Sequence, residues 1–114
     1  MADPADDPRS ELLPGTLEML ILRTLTLRPL HGYGIAQHLE ASSNGILRVE
    51  QGSLYPALER LLKKGLATAR WEKSPTGRRA RFYTITRSGG ARLERKVADY
   101  ERVIGAIAKV MSKA

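Results

Sequence analysis

The strongest constraint on the fold is the spacing of apolar residues in the last part of the chain. Six of them follow one another at steps of 4, 3, 4, 3 and 4 residues: Leu93, Val97, Tyr100, Ile104, Ile107 and Met111. This nearly heptad spacing predicts one long helix, Ser88–Ala114, with an apolar seam along one side. Either the rest of the same chain or a second copy of it must cover that seam.

The first predicted helix favours a second copy. Residues 16–27 place apolar side chains on two opposite sides of a helix, and Pro29 ends it. Such a helix must be covered on both sides, which in so small a chain points to a partner subunit. Each last helix would then lie on the first helix of its partner. We expect Leu17 and Leu20, together with the six seam residues, to mediate dimerisation.

The middle of the chain predicts two more helices. After a break at residues 31–34, a short helix starts at Ile35 and stops at residues 42–45, SSNG, where Asn and Gly readily adopt the left-handed conformation. Ile46–Val49 could be a short strand. The stretch GSLYPALERLLKKG predicts the third helix, which starts close to Gly52 or Ser53 because Pro56 is tolerated only in a first turn.

Two β-strands follow the third helix. Leu66–Glu72 and Arg81–Thr86 flank a turn at residues 74–77, SPTG, and the alternation of the second strand places Tyr83 on one face. The order is helix, helix, helix, strand, strand and a final helix. The predicted fold class is therefore mostly α with a small β-hairpin (α+β).

Charge is concentrated in one part of the chain. The formal net charge of the 114 residues is +7, yet residues 60–81 alone hold eight cations and one acid, Glu72. A basic patch this local indicates an anionic partner, and nucleic acid is favoured over a merely solvated surface.

The second and third helices form a predicted helix-turn-helix. A helix that enters the major groove needs one apolar face for its own core and short polar groups at its N-terminal end. The third helix has both, so Gln51, Ser53, Tyr55 and Pro56 are expected to contact bases or nearby backbone. Arg60 and Lys63 are expected to contact phosphates. The alternative is an ordinary amphipathic surface helix.

A hairpin that follows a helix-turn-helix and ends in a basic tip is typical of a wing. Five cations lie on or beside the turn, and their mutual repulsion would be relieved on DNA. Arg78, Arg79 and Arg81 would neutralise phosphates and release counterions, and a narrow minor groove favours arginine. The alternative is a solubilising tip.

These segments resemble the PadR-like family of transcriptional regulators. Residues 30–36, LHGYGIA, are similar to its second helix, and residues 52–58, GSLYPAL, to its recognition helix. Residues 77–86 resemble its wing, and residues 13–17, LPGTL, the start of its first helix. The resemblance spans Leu13 to Leu93.

The resemblance implies a winged helix-turn-helix with a C-terminal dimerisation helix, usually acting as a repressor on a pseudo-palindromic operator. It also implies that Tyr33 and Tyr55 face phosphates or base edges. Members of the family respond to phenolic acids, drugs or other signals, so an unidentified small-molecule effector is a candidate partner. One last helix indicates the short subtype. Members that bind planar drugs often carry a tryptophan in that helix. Here the single tryptophan is Trp71, which we expect to be a packing residue.

The domain prediction has three parts: an acidic disordered segment at residues 1–11, the winged helix-turn-helix at 12–86 and the dimerisation helix at 87–114. We expect no cofactor, no metal site and a cytoplasmic location, since the chain has no cysteine and no long apolar run. An enzyme is disfavoured because Ser53 has no plausible catalytic partners. The alternative function is a non-specific architectural DNA-binding dimer.

Overall fold

The computed structural model describes residues 15–112. Its elements are α1 (Thr16–Leu25), β1 (Leu30–His31), α2 (Gly32–Ser42), α3 (Gln51–Lys63), β2 (Ala67–Lys73), β3 (Arg79–Ile85) and α4 (Arg87–Met111). β3 is the middle strand of an antiparallel sheet in the order β1-β3-β2. The predicted fold class is confirmed, with one strand more than expected. The acidic segment predicted at residues 1–11 lies outside the described residues.

The additional strand, β1, lies at the start of the predicted break. Leu30 pairs with Tyr83 and His31 pairs with Phe82. The prediction of a short strand at Ile46–Val49 is wrong, because this segment joins α2 to α3 without strand structure. A strand of 2 residues is too short to show a periodicity. Only its pairing with the distant β3 reveals it.

Helix α2 starts at Gly32, earlier than the predicted Ile35. Its N-cap is His31, whose Nδ1 accepts a hydrogen bond from the Gly34 N–H at 2.9 Å. Histidine is not among the preferred N-cap residues, so a search for start signals does not find this helix start. The predicted end of this helix at residues 42–45 is confirmed, since Asn44 and Gly45 have positive φ angles of 55° and 80°.

The hairpin is shifted relative to its prediction. β2 lies one residue later than predicted and β3 begins two residues earlier, because the ladder extends outward to the pair Lys73 and Arg79. The Ser74 N–H donates to the Arg78 carbonyl at 2.7 Å and closes the turn. Tyr83 is buried, so the face on which the alternation placed it is the one that packs on the core.

The core surrounds α1. Ile21 and Leu22 are fully buried, and α1 contacts α2, α3, β3 and α4. Leu17 and Leu20 are partly buried against the same core. Elements distant in sequence thus cover part of α1 within one chain, and the contact of Leu17 and Leu20 with a second copy stays a prediction.

The seam of α4 divides into two parts. Leu93 is buried and Val97 packs against the core, whereas the seam beyond them is exposed. Tyr100, Ile104 and Ile107 are 43%, 40% and 46% exposed, and Met111 is 77% exposed. Within residues 15–112, no helix has both the length and the apolar character needed to cross a membrane.

The start of α4 is fastened to the junction between α3 and β2. The Thr86 hydroxyl caps α4 by accepting from the Gly89 N–H at 3.0 Å and donates to the Gly65 carbonyl at 2.7 Å. A Cβ on Gly89 would collide with the Leu66 carbonyl oxygen. Glycine at this position therefore allows the helix to approach the junction closely.

One carboxylate joins three helices. Glu18 of α1 contacts Lys64 at the end of α3 at 3.3 Å, and Lys96 and Arg92 of α4 at 2.9 and 3.5 Å. Burial by itself would raise the pKa of Glu18, but the hydrogen bonds and charges of Lys96 and Lys64 outweigh it and lower that pKa below its usual value. The ionised carboxylate thus stabilises the packing of α1, α3 and α4.

Candidate nucleic-acid interface

Helix α3 divides its residues between the core and the solvent. Leu54, Ala57, Leu58 and Leu61 are buried. The predicted DNA-contacting residues of this helix are all exposed: Gln51, Ser53, Tyr55, Pro56, Arg60 and Lys63. Because polar and apolar residues alternate with the helical period, the structure brings these six residues to the outward side of one helix.

The start of α3 differs from its prediction. The helix begins at Gln51, one or two residues before the expected start, so Pro56 lies beyond the first turn. The Ser53 and Leu54 N–H groups both donate to the Glu50 carbonyl. Proline has no N–H for the Gly52 carbonyl one turn earlier. Gly52 and Pro56 are exposed, so water or a bound donor can reach that carbonyl.

Two tyrosines extend the exposed face of α3 towards α2. Tyr33 is 58% exposed in the first turn of α2, and its ring is parallel to that of His31, with centroids 6.4 Å apart. The Tyr55 ring lies against Gly32, where a Cβ atom would be 2.8 Å from the Tyr55 Oη. The glycine at position 32 therefore leaves the space in which Tyr55 lies.

Four of the five wing cations fall into two groups, and the fifth, Lys73, is exposed. Two are paired with carboxylates: Arg70 with Glu72 at 2.7 Å, and Arg81 with Glu59 of α3 at 2.9 Å. Arg78 and Arg79 at the tip are exposed and form no ion pair with a carboxylate of residues 15–112. The predicted repulsion among five free cations is therefore overstated, because acids supplied by β2 and α3 neutralise two of them.

Arg81 connects the wing to α3. Its guanidinium lies 5.8 Å from the centroid of the Tyr83 ring and donates to Glu59. Burial raises the pKa of Tyr83 above its usual value, against the lowering effect of the Arg81 charge. Tyr83 therefore remains a neutral phenol beneath a cation, and Arg81 fixes the wing beside α3.

An open groove of about 640 Å³ lies between the wing and the two helices. Its walls include Tyr33, Tyr55, Arg78, Arg79 and Arg81. The structure thus brings five of the predicted DNA-contacting residues from α2, α3 and the wing around one concave surface. In the described part of the chain, no three side chains of the types that bind metals form a cluster.

Residues 21–95 of the sequence match the family model described as "Transcriptional regulator PadR-like family". This chain belongs to the PadR-like family. Over 95 residues it is 30% identical to "Uncharacterized protein X" of Lysinibacillus sphaericus, covering 83% of this chain and 87% of that protein.

Solved structures of PadR-like regulators share the fold. A PadR-like transcriptional regulator from Bacillus cereus is 27% identical, with a TM-score of 0.76 over 88% of this chain and 95% of the other. A PadR family regulator from Eggerthella lenta is 26% identical, with a TM-score of 0.75 over 88% and 85% of the two chains. The protein is therefore a transcriptional regulator of this family rather than an enzyme.

The sequence prediction missed one prominent residue of this PadR-like protein. Trp71 was expected to pack in the core, but it is 60% exposed, so this prediction is wrong. It lies in the outer half of β2, opposite Arg81, and lines the groove. Its charged neighbours in the sequence, Arg70 and Glu72, were the available signal that this part of the strand is solvated.

Proposed function

We propose that this PadR-like regulator binds a specific operator in double-stranded DNA as a homodimer and represses transcription. The observation that carries the proposal is the groove, which joins the polar face of α3 to a wing whose tip cations have no acidic partner among the described residues. Phosphates are the anions that such a surface fits, and an exposed helix face beside them fits the major groove.

The two parts of the surface have different roles. Gln51, Ser53 and the aromatic ring of Tyr55 lie near the start of α3 and would contact base edges. Phosphate contacts would come from the surrounding side chains: Tyr33, Arg60, Lys63, Arg78, Arg79 and Arg81. Contacts to phosphates position a protein on DNA, whereas contacts to base edges select the sequence.

The exposed half of the α4 seam supports dimerisation. Tyr100, Ile104, Ile107 and Met111 form an apolar stripe that nothing covers within residues 15–112. A second copy would cover it with an identical stripe, and a two-fold axis would place two α3 helices about 34 Å apart on a pseudo-palindromic site. Residues 12–86 would then form the DNA-binding domain and residues 87–114 the dimerisation helix, acting in the cytoplasm.

A cavity beside this stripe supports control by a small molecule. It measures about 270 Å³ and is lined by residues of α1 and α4, including Met19, Tyr100 and Ile104, with Lys96 and Asp99 as polar groups. A mostly apolar cavity with a few polar groups is typical of ligand sites. A partner subunit on the stripe would close this cavity further, so an effector bound there would alter the dimer.

Selection from random duplexes tests the proposed function. We expect enrichment of one palindromic sequence and, at physiological salt, an affinity for it at least about a thousandfold above that for unrelated DNA. A ratio near one would instead establish the non-specific architectural function. A reporter gene behind the selected sequence should then be repressed by this protein.

The salt dependence of binding tests the role of the wing. Replacing Arg78 and Arg79 with Ala should weaken binding to every duplex and reduce the slope of log K against log salt by up to about two. The control variant, Arg23→Ala with Lys109→Ala, removes the same charge from α1 and α4 and should keep the slope. Equal slopes for the two variants would contradict a wing contact with phosphates.

A further inference from the structure

Trp71 is the most exposed aromatic residue on the wing. The register places it directly opposite Arg81, so the two side chains share the face of the hairpin that looks onto the groove. Its exposed fraction is 60%. An indole offers the largest apolar surface of any side chain, and leaving it in water forfeits hydrophobic stabilisation. Exposure of this kind marks contact surfaces.

Arg79 lies over the Trp71 ring. Its guanidinium carbon is 5.9 Å from the ring centroid, which is the geometry of a cation–π contact. The two residues are diagonal neighbours across the ladder, because Arg79 lies two positions from the direct partner of Trp71. A guanidinium held by its face keeps its N–H edge free for an anion.

The pair differs from the other stacked arginine of the wing. Arg81 also lies over a ring, that of Tyr83, but its N–H edge is engaged by Glu59. Arg79 has no such acid among residues 15–112. The Trp71 and Arg79 pair therefore combines an exposed flat ring with guanidinium N–H donors that have no acidic partner among residues 15–112, on the same side of the wing.

We propose that Trp71 is a DNA-contacting residue of the wing. Its ring packs against the sugars of the duplex backbone, and it holds Arg79 so that the guanidinium donates to an adjacent phosphate. The indole N–H is a further donor for that backbone. This inference rests on the proposed function, because it assigns a new residue to the same interface.

The surroundings of Trp71 favour DNA over another occupant. Arg70, Lys73 and Arg78 are exposed near it on the hairpin, and a polyanion fits such a basic field. A second copy of this chain carries the same positive charge on its own wing. The large exposed apolar surface that suits a second copy lies on α4 instead.

The fluorescence of the chain tests the proposal directly, because Trp71 is its single tryptophan. Labelled operator DNA obtained by selection is titrated while its anisotropy and the acrylamide quenching of tryptophan emission are read in the same samples. We expect the quenching constant to fall by at least about twofold on saturation, at the concentrations where the anisotropy rises.

The two readouts separate the possible failures. A rise in anisotropy without a change in quenching would overturn the role of Trp71 and leave DNA binding intact. No rise in anisotropy would overturn DNA binding and this proposal with it. Protection that depends on protein concentration without DNA would show that a second copy covers Trp71, and it would overturn the proposal.

Substitutions give an independent test. Trp71→Ala should weaken operator binding by roughly fivefold to tenfold and Trp71→Phe by less, since a smaller ring keeps part of the contact. Leu27→Ala truncates an apolar side chain of similar exposure, 58%, in the turn after α1 and should leave binding unchanged. Unaltered affinity of a folded Trp71→Ala protein would contradict the proposal.

The stacking geometry can be tested without changing charge. Arg79→Lys loses the planar group and should weaken binding by about threefold or more, whereas Arg78→Lys, at a position with no ring contact within residues 15–112, should change it less. In the Trp71→Ala background, Arg79→Lys should have a smaller effect. Equal effects in both backgrounds would contradict a role of Trp71 in holding Arg79.

Discussion

The contact between Gly32 and Tyr55 determines how one aromatic side chain is presented to the groove. A Cβ atom at position 32 would lie 2.8 Å from the Tyr55 Oη and 2.9 Å from both Cε1 and Cζ. Atoms cannot remain that close, so any larger residue at position 32 must displace the ring. Glycine at position 32 of α2 therefore determines where the Tyr55 side chain of α3 lies.

We predict that Gly32→Ala weakens operator binding by about tenfold with little change in thermal stability. Alanine favours helical structure over glycine by about 1 kcal/mol, which offsets the strain of the new contact with Tyr55. The Tyr55 ring has to move to relieve that contact, and its position in the groove changes. Anisotropy titration and thermal melting measure the two effects. Gly90→Ala is the matched control, because a Cβ there meets nothing within 4 Å.

A double-mutant cycle identifies the cause. If Gly32 acts through Tyr55, then Tyr55→Ala should have a smaller effect on affinity in the Gly32→Ala background than in the natural protein. Additive losses would show that Gly32→Ala acts by another route and would contradict the positioning role.

At the scale of elements, the Glu18 cluster connects α4 to the end of α3. The side chain of Glu18 is only 13% exposed, and its carboxylate reaches Lys64 at the end of α3 and Lys96 of α4. The lowered pKa of Glu18 means that folding favours the charged form. Its contribution to stability is therefore fully present above the unfolded-state pKa and is lost as the pH falls through the lower folded-state pKa.

We predict that Glu18→Gln lowers the free energy of unfolding at pH 7 by about 1 kcal/mol. The difference from the natural protein should shrink as the pH falls through the lowered folded-state pKa of Glu18, since the carboxyl then becomes protonated in the natural chain as well. Urea unfolding at a series of pH values measures this. Glu101→Gln, on an exposed part of α4, should show no such pH-dependent difference.

At the scale of the whole molecule, the exposed seam of α4 is the surface on which we propose that a second copy binds. Tyr100, Ile104 and Ile107 continue the line of the buried Leu93, so one seam would serve both the core of the monomer and the contact with a second copy. Two DNA-binding units joined in this way would bind one duplex with a high effective concentration.

We predict that Ile107→Glu converts the dimer to a monomer and weakens operator binding by at least about a hundredfold. If this variant dimerised, two carboxylates would meet across the two-fold axis in an apolar contact, which is unfavourable. Sedimentation at micromolar concentration and anisotropy titration measure the two effects. Lys109→Gln, on the other side of α4, should remain dimeric. A natural protein that sediments as a monomer with and without operator would contradict the dimer.

The sequence by itself determined the features that repeat along the chain. The outward and inward faces of α3 and the long seam of α4 follow from helical periodicity, and the turn between β2 and β3 follows from its own residues. Nearest-neighbour geometry controls all three, so no distant contact is needed to infer them. The same local motifs were sufficient to indicate the family.

Only the tertiary structure decided which residues meet across the chain. Strand β1 exists because Leu30 reaches Tyr83, Arg81 is neutralised because α3 brings Glu59 to it, and α1 is covered in part because four other elements pack around it. Trp71 stays 60% exposed although it pairs with Arg81 of β3, because strand pairing alone does not bury a side chain. The physical reason is that burial and pairing depend on contacts between distant segments, which local periodicity does not encode.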